Sequence, residues 1–438
     1  MKVLVIGSGG REHCLAWKLA TGSNASRIYA IPGNPGIANI GACANIGISK
    51  NDFDAVSGFV EEEGIDFTIV GPEAPLVEGI TDHFKGKGHE IFGPDMSAAR
   101  LEGSKVFTKE LCVKYGIPTA KSIKFDRKDY EKAVSYIKKL KDDDFPLVLK
   151  VDGLAAGKGV IISSSKEDAL VELAHCFIDD IFGPASDSII IEEFISGFEV
   201  SLLSLCDGKN ILPMVLAQDY KKIFDGDKGK NTGGMGSYSP VPFVDGPLFN
   251  KMLEEIIYPS YEAIMKEGID YRGILYGGII VSKGQPYLLE YNCRFGDPET
   301  QAILPNLEND LLELMLQCCR GKLGNSTLKW SNSKCVCVVL ASKGYPESSS
   351  KNDLIEGLEN FNNNTGSKDN SGIMVFHAGT KSQDSKIYTN GGRVLGVVAK
   401  AESFISSRKI AYDAISKIRF EGMQYRTDIA KRVEEEIT

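Results

Sequence analysis

Apolar positions along the chain fall into two textures. In the first hundred residues they form short unbroken runs, Val3-Leu4-Val5-Ile6, Arg27 to Ile31, Asp66 to Val70 and Ile91-Phe92-Gly93, separated by segments of helical length such as Glu12 to Ala20. Runs of that kind predict parallel strands buried on both faces under helices. In such sheets ligands bind beyond the carboxyl ends of the strands. Those ends carry Gly7-Ser8-Gly9-Gly10-Arg11, Pro32-Gly33-Asn34-Pro35-Gly36 and Gly71-Pro72-Glu73.

From about residue 104 the pattern changes. Phe145 to Lys150 predicts a strand, followed by the glycine-rich Asp152 to Gly159 and a second strand, Val160 to Ile162. Ile189-Ile190-Ile191 runs into Glu192-Glu193-Phe194, and Gly277 to Val281 is joined to Tyr287 to Asn292 by Lys283-Gly284-Gln285. That spacing predicts an antiparallel hairpin. Leu311 to Arg320 predicts an apolar helix. Beyond about 327, strands at Val336 to Leu340 and Val394 to Val398 flank a polar loop at 362–371, with few residues of evident chemistry. The fold class expected is therefore α/β and α+β, multidomain, divided at 1–103, 104–326 and 327–438; 438 residues suit two to four domains at about 150 each.

Composition adds exclusions. Charged residues are 25% and hydrophobic ones 42%, which rules out disorder as the main character. A net charge of −9 argues against a nucleic-acid binder, although a local cluster of Lys and Arg can still hold an anionic small molecule. Ten cysteines form no C-x-x-C pair, and five histidines form no H-E-x-x-H, so reduced core thiols are expected and not a zinc site. No apolar run approaches about 18 residues, so no membrane span is expected. The amino terminus opens directly into a strand without the pattern of a signal peptide. A cytoplasmic protein is the expectation.

Four segments could carry chemistry. Gly7-Ser8-Gly9-Gly10-Arg11-Glu12 begins like a dinucleotide fingerprint, but Glu12 stands where the third glycine belongs and no acidic residue ends the second strand. A glycine-lined turn opening a helix remains, able to cradle a phosphate with Arg11 nearby, against the alternative of a tight turn without a ligand. Asp152 to Val160 misses the P-loop pattern at Asp152 and Gly159 and runs from strand to strand, which suits a flap closing over a polyphosphate near Lys150 and Lys105; a mobile surface hairpin is the alternative. Glu290, Asn292 and Arg294 fall at i, i+2 and i+4 and so share a strand face. A carboxylate and an amide oxygen suit Mg²⁺, and the arginine suits a carboxylate or phosphoryl group, though a solvated ion pair fits the spacing equally. Asn231-Thr232-Gly233-Gly234-Met235-Gly236 suggests close backbone approach to a ligand, or a long flexible loop.

Together with Leu101-Glu102-Gly103-Ser104-Lys105, Asn292 to Thr300 and Phe376-His377-Ala378-Gly379-Thr380, these segments resemble, nearly end to end, the phosphoribosylamine–glycine ligase (glycinamide ribonucleotide synthetase) family of the ATP-grasp superfamily. The resemblance implies a Rossmann-like amino-terminal domain, an ATP-grasp core with a mobile lid at about 120–188, and a small carboxyl-terminal domain. It implies that Lys105, Lys150, Gly153, Gly157, Lys158 and Gly159 hold ATP phosphates, that Glu192, Glu193, Phe194 and Ile195 form the adenine hinge, and that Glu199 meets the ribose. Glu290 and Asn292 would bind Mg²⁺ or Mn²⁺, and Arg294 would meet the glycine carboxylate and act in catalysis with Lys150. Gly9, Gly10, Arg11, Asn34, Gly71, Pro72, Glu73, Asp219, Lys221, Asn231, Thr232, Gly233 and Gly234 would hold 5-phosphoribosylamine. The implied reaction joins glycine to that amine with ATP as co-substrate, through glycyl phosphate, in purine biosynthesis. Small-molecule partners are implied, with no nucleic acid or membrane, and a monomer or dimer. Tyr220 stands where relatives commonly have His, which leaves the local substrate contact open. The siblings to separate are other ATP-grasp ligases and biotin-dependent carboxylases; a nicotinamide oxidoreductase and an inactive binding module are the rivals of other classes.

Overall fold

A computed structural model describes residues 1–155, 159–361 and 372–433. Gly157 and Lys158 of the flap, and the polar loop at 362–371, lie outside the described residues. The amino-terminal runs pair as a five-stranded parallel sheet in the order Cys43–Asn45, Arg27–Pro32, Lys2–Gly7, Phe67–Val70, Ile91–Phe92. Val3, Leu4, Val5 and Ile6 have no exposed surface, as a central strand covered on both faces requires. The loops at Gly7–Arg11, Pro32–Gly36 and Gly71–Glu73 follow neighbouring strands, so they meet along one edge.

Two antiparallel sheets follow. One has the order Ser122–Asp126, Ser188–Glu193, Leu147–Val151, Val160–Ser163. With helices Tyr130–Lys139 and Lys166–Phe177 it encloses an apolar core of its own, including Phe125, Ile137, Leu149, Leu173 and Phe177. The other has the order Ile211–Pro213, Phe198–Asp207, Arg272–Ser282, Gln285–Asn292. Its last pair is the expected hairpin, with one irregularity: Gly278 pairs with Glu290 while Ile279 pairs with Leu288, so Leu289 is an extra residue in a bulge. Among the described residues no helix is long and apolar enough to cross a membrane.

A further antiparallel sheet crosses the division expected at 326/327. Its order is Gln218–Asp219, Gly236–Ser239, Lys334–Ala341, Arg393–Ala401, Ile373–His377. The glycine-rich segment after Asn231 is thus not a flexible loop throughout: Gly236 to Ser239 form a buried strand. Gly236 is required there because a Cβ would stand 2.7 Å from both the Cys337 carbonyl oxygen and Ile429 Cδ1.

Tyr220 adjoins this sheet and has partners of its own. Its ring is 2% exposed, with the guanidinium carbons of Arg426 and Arg432 at 4.7 and 4.5 Å from the ring centre. Its hydroxyl accepts from the Ala430 N–H at 2.9 Å and Arg432 Nε at 3.2 Å. The side chain at this position therefore anchors the carboxyl-terminal segment. Tyr220→Phe would leave both donors unmatched and is expected to cost about 1–3 kcal/mol, and Tyr220→Ala about 3–5 kcal/mol by cavity formation. Lower thermal midpoints in that order, with KM for each substrate little changed, are the expected readout; a raised KM at an unchanged midpoint would contradict the assignment.

Candidate functional site

The site is assembled where the sheets meet. Helix Lys105–Tyr115 is capped by Ser104, whose Oγ accepts from the Phe107 N–H at 3.1 Å and donates to Asp152 Oδ1 at 2.9 Å. Asp152 also accepts the Val106 N–H at 3.0 Å, so the first residue of the flap is fastened to the helix that presents Lys105. Lys105 Nζ lies 3.4 Å from the Gly153 carbonyl, and Gly153 adopts φ +146°, a conformation that favours glycine. Gly159 closes the flap: its carbonyl accepts the Val151 N–H at 2.9 Å, and a Cβ there would meet Val151 Cγ2 at 2.6 Å.

Lys150 is buried on the neighbouring strand. Its Nζ lies 2.9 Å from Glu192 Oε2 and donates to the carbonyl of the bulged Leu289 at 3.0 Å. Lys109, one turn beyond Lys105, meets the other oxygen of Glu192 at 2.9 Å. The Glu192 side chain is thus turned to two lysines, whereas Glu193 and Phe194 at the end of the same strand are exposed and Ile195 half-buried. Glu193 Oε1 accepts the Lys121 N–H at 3.0 Å.

Glu290 and Asn292 share a strand face as their spacing predicts, and Gly278 opposite leaves room for Glu290, a Cβ there standing 3.4 Å from its Cγ. Arg294 lies past the end of Gln285–Asn292, so strand periodicity does not place it; carboxylates do. Its Nη2 donates to Glu102 Oε1 at 2.8 Å and to Asn292 Oδ1 at 3.1 Å, and its Nε lies 3.4 Å from Glu73 Oε2. Burial works to raise the Glu73 carboxyl, but Arg294 and then Arg11 hold it down at about 2. For Glu102 burial outweighs Arg294, and its carboxyl is raised. Burial also works to raise Glu290, yet Lys221, Lys105, Lys150 and Arg294 together hold it below the usual carboxylate range.

This donor set fits a divalent cation. Glu290 makes no hydrogen bond or ion pair with a described residue, and the Arg294 donor fixes Asn292 with its oxygen toward Arg294 while leaving a second lone pair. Among the described residues no cluster of three His, Cys, Asp or Glu could hold a metal by itself. An ion here would thus share two protein oxygens with substrate phosphates, in the manner of Mg²⁺.

Lys221 completes the cationic wall, with its Nζ 2.9 Å from Glu199 Oε2. Burial opposes its charge, but Glu199, Asp219 and Glu290 hold the ammonium well above its ordinary value. Asp219 is pushed up to about 7, chiefly by burial, with Lys221 opposing and Glu299 and Glu199 adding. The loop that follows is tied down. Thr232 donates its N–H and Oγ1–H to the Lys221 carbonyl at 2.7 and 2.8 Å. The Gly233 N–H donates to the Tyr345 hydroxyl at 3.0 Å. Asn231 pairs with Lys222 at the root of the loop, and Gly234 at φ +108° packs on Pro298.

The amino-terminal loops open on a cleft of about 720 Å³ lined by Gly9, Asn34, Asp297, Lys381 and Arg393 among others. Gly10 lies beside it, where a Cβ would stand 3.8 Å from Asp297 Oδ1. The glycine turn itself already holds a carboxylate. Glu12 Oε2 accepts the Gly9 N–H at 2.6 Å, and a Cβ on Gly7 or Gly71 would stand 2.5 Å or less from Glu12 atoms. The carboxylate that breaks the dinucleotide fingerprint thus packs inside the turn. Arg11 is 6% exposed and turned inward, its Nε 2.6 Å from Glu12 Oε1 and its Nη1 donating to the Phe295 carbonyl at 3.1 Å. Pro72 caps the short helix that carries Glu73.

Four residues escaped the sequence reading. Glu102, Asp297 and Lys109 lie within or beside quoted motifs, but only long-range contacts reveal what they do. Arg393 comes from the last third, where little chemistry was expected; it lies 3.4 Å from Asp297 Oδ2 and donates to the Asp297 carbonyl at 2.6 Å and to the Gly233 carbonyl at 2.5 Å.

Comparison with known proteins accounts for this arrangement. Residues 1–102, 103–300 and 335–432 match, in order, the N domain, the ATP-grasp (A) domain and the C domain of phosphoribosylglycinamide synthetase. The chain is 46% identical to the phosphoribosylamine–glycine ligase of Caldanaerobacter subterraneus subsp. tengcongensis, over 98% of this chain and 99% of that one. It is 44% identical to the ligase of the same name from Salmonella typhimurium, over 99% and 98%. The crystal structure of phosphoribosylamine–glycine ligase from Thermotoga maritima superposes with a TM-score of 0.81 at 33% identity, covering 98% of this chain and all of that one. The biotin carboxylase domain of Hydrogenobacter thermophilus 2-oxoglutarate carboxylase, solved with MgADP and bicarbonate, shares the fold at a TM-score of 0.69 and 18% identity, over 97% and 91% of the two chains. With all three domains matched in order and relatives aligned from end to end, the chain belongs to the phosphoribosylglycinamide synthetase family.

Proposed function

We propose that this chain joins glycine to 5-phosphoribosylamine at the expense of ATP, through glycyl phosphate, yielding glycinamide ribonucleotide, ADP and phosphate for purine biosynthesis. The observation that carries the reading is the gathering of Lys221, Lys105, Lys150 and Arg294 around Glu290, with Arg294 donating to Asn292, a site suited to gather anions around a transferable phosphoryl group. On this reading the domains divide at 1–103, 104–326 and 327–438, the unit at about 120–188 is the lid, and the enzyme works as a monomer or dimer.

Lys105, Lys150, Gly153, Gly157, Lys158 and Gly159 hold the ATP phosphates. The segment Glu192 to Ile195 meets adenine through its backbone and exposed edge, and Glu199 meets the ribose. A divalent ion held by Glu290 and Asn292, Mg²⁺ or Mn²⁺, supplies charge neutralisation at the phosphates. Arg294, fixed by Glu73 and Glu102, orients the glycine carboxylate. A carboxylate oxygen attacks the γ-phosphorus and the bond to ADP breaks. The amine nitrogen then attacks the glycyl carbonyl carbon, the bond to phosphate breaks, and the amine sheds a proton. Gly9, Gly10, Arg11, Asn34, Gly71, Pro72, Glu73, Asp219, Lys221 and Asn231 to Gly234 frame the amine substrate, some by contact and others, such as Arg11, by holding the loops that do. Positioning and electrostatic neutralisation suffice, without a covalent enzyme intermediate. Closure of the flap keeps water from the acyl phosphate.

The testing experiment is ADP release with ATP and Mg²⁺, supplying glycine and freshly generated phosphoribosylamine together and then omitting each. Release that needs both, with glycinamide ribonucleotide as product, is expected; release with another carboxylate or amine would overturn the substrate assignment. Glu290→Gln is expected to abolish metal-dependent turnover at an unchanged thermal midpoint, and near-normal turnover would remove Glu290 from the metal site.

Asp219 yields a pH prediction. Its folded carboxyl titrates at about 7, against about 3.9 unfolded. Between these values the folded state binds the extra proton, so this group's contribution to stability falls as pH rises through that window. In substrate-free protein, Asp219→Asn should raise the thermal midpoint relative to the parent near pH 8 and lose that advantage near pH 4. An equal midpoint difference at both pH values would refute the raised carboxyl.

A further inference from the structure

Lys109 is absent from the machinery assigned above, yet it occupies a junction within it. Its side chain is buried, and its ammonium donates to Thr119 Oγ1 at 2.7 Å and the Ala120 carbonyl at 3.1 Å and forms an ion pair with Glu192 Oε1 at 2.9 Å. Thr119 and Ala120 lie where the chain leaves the core for the strand Ser122–Asp126; Glu192 lies where the strand Ser188–Glu193 brings it back. The two crossings are laced to each other by Glu193 N–H to the Lys121 carbonyl at 3.0 Å. They are laced to the core by Thr119 Oγ1–H to the Leu288 carbonyl at 2.8 Å and by the Leu288 N–H to the Pro118 carbonyl at 2.8 Å.

Glu192 is 3% exposed and shared by two ammonium groups, Lys109 on one oxygen and Lys150 on the other. A single buried carboxylate between two lysines leaves one positive charge in surplus. When Lys150 turns to a phosphate, a Glu192 without another partner would be a buried unpaired anion, which is costly. With Lys109 in place it stays paired.

We propose that Lys109 is a positioning residue for the nucleotide: it is the counter-ion that retains Glu192 when Lys150 is handed over to the phosphates, and it pins both crossings of the 122–193 unit to the core helix. The proposal rests on the reading of Lys150 as a phosphate ligand. Without Lys109, Glu192 is left with Lys150 alone, and ATP must compete with a full buried ion pair for that lysine.

The test is calorimetric binding of MgATP to the full chain without glycine, for the parent, Lys150→Ala, Lys109→Gln and Lys109→Gln/Glu192→Gln. Gln keeps hydrogen-bonding capacity toward Thr119 and Ala120 while removing the charge. Lys109→Gln is expected to weaken MgATP binding about tenfold, and adding Glu192→Gln to recover most of that loss by releasing Lys150. A purely structural lysine would show no such relief. Affinity within about twofold of the parent in Lys109→Gln, or a loss that Glu192→Gln does not relieve, overturns the proposal while Lys150→Ala still weakens binding. If Lys150→Ala binds MgATP as the parent does, the phosphate assignment itself falls and the handover with it. Should Lys109→Gln fail to fold, a structure of the parent with MgADP decides: Lys150 on phosphate with Glu192 on Lys109 alone is expected, and Glu192 still joined to Lys150 overturns it.

Discussion

A guanidinium cannot shed its proton inside a protein, and the site is organised around that fact. Arg294 follows a strand of the central sheet, Glu73 heads a short helix of the amino-terminal unit, and Glu102 ends the helix between them. Each carboxylate is in the wrong place without the arginine, and the arginine is a buried unpaired charge without the carboxylates. One interaction therefore fixes the amino-terminal loops relative to the metal-facing strand. Glu102 reinforces it by accepting the Cys293 N–H at 2.8 Å.

Charge elsewhere in the site is graded by the same logic. Neighbouring carboxyls fare differently by position: Glu290 is held low by four cations against its burial, whereas Asp219 is pushed up chiefly by burial, with Glu299 and Glu199 adding. Catalysis by positioning needs such an arrangement in place before the substrates arrive, so that no reorganisation accompanies the reaction.

Much of this was legible in the sequence, for reasons that can be named. The run Val3 to Ile6 betrays a strand covered on both faces because its burial is continuous, and Glu290 with Asn292 betrays a shared face because strand periodicity is two. The failures are as specific. The glycines after Asn231 suggested close backbone approach to a ligand or a flexible loop, yet Gly236 stands in a strand, where a Cβ would meet the Cys337 carbonyl and Ile429. At the turn Gly7 to Gly10, the misfit at Glu12 was the one visible sign that a side chain takes the Gly9 N–H. Arg393, Asp297 and Lys109 act through partners 96 or more, 96 and 10 to 83 residues away respectively, beyond the reach of any local pattern.

The strand Gly236–Ser239 lies in sequence among the substrate-facing loops, but its hydrogen bonds belong to the sheet built by Lys334–Ala341. The carboxyl-terminal third is thus less an appended module than the second half of a sheet begun a hundred residues earlier. Severing the chain ahead of Lys334 would not release two tidy pieces. It would strip the pairing from Gly236–Ser239, expose an unprotected strand edge beside the substrate loop, and invite association with other chains. Any rearrangement of this architecture by fusion, permutation or shortening must therefore carry the sheet along as one unit.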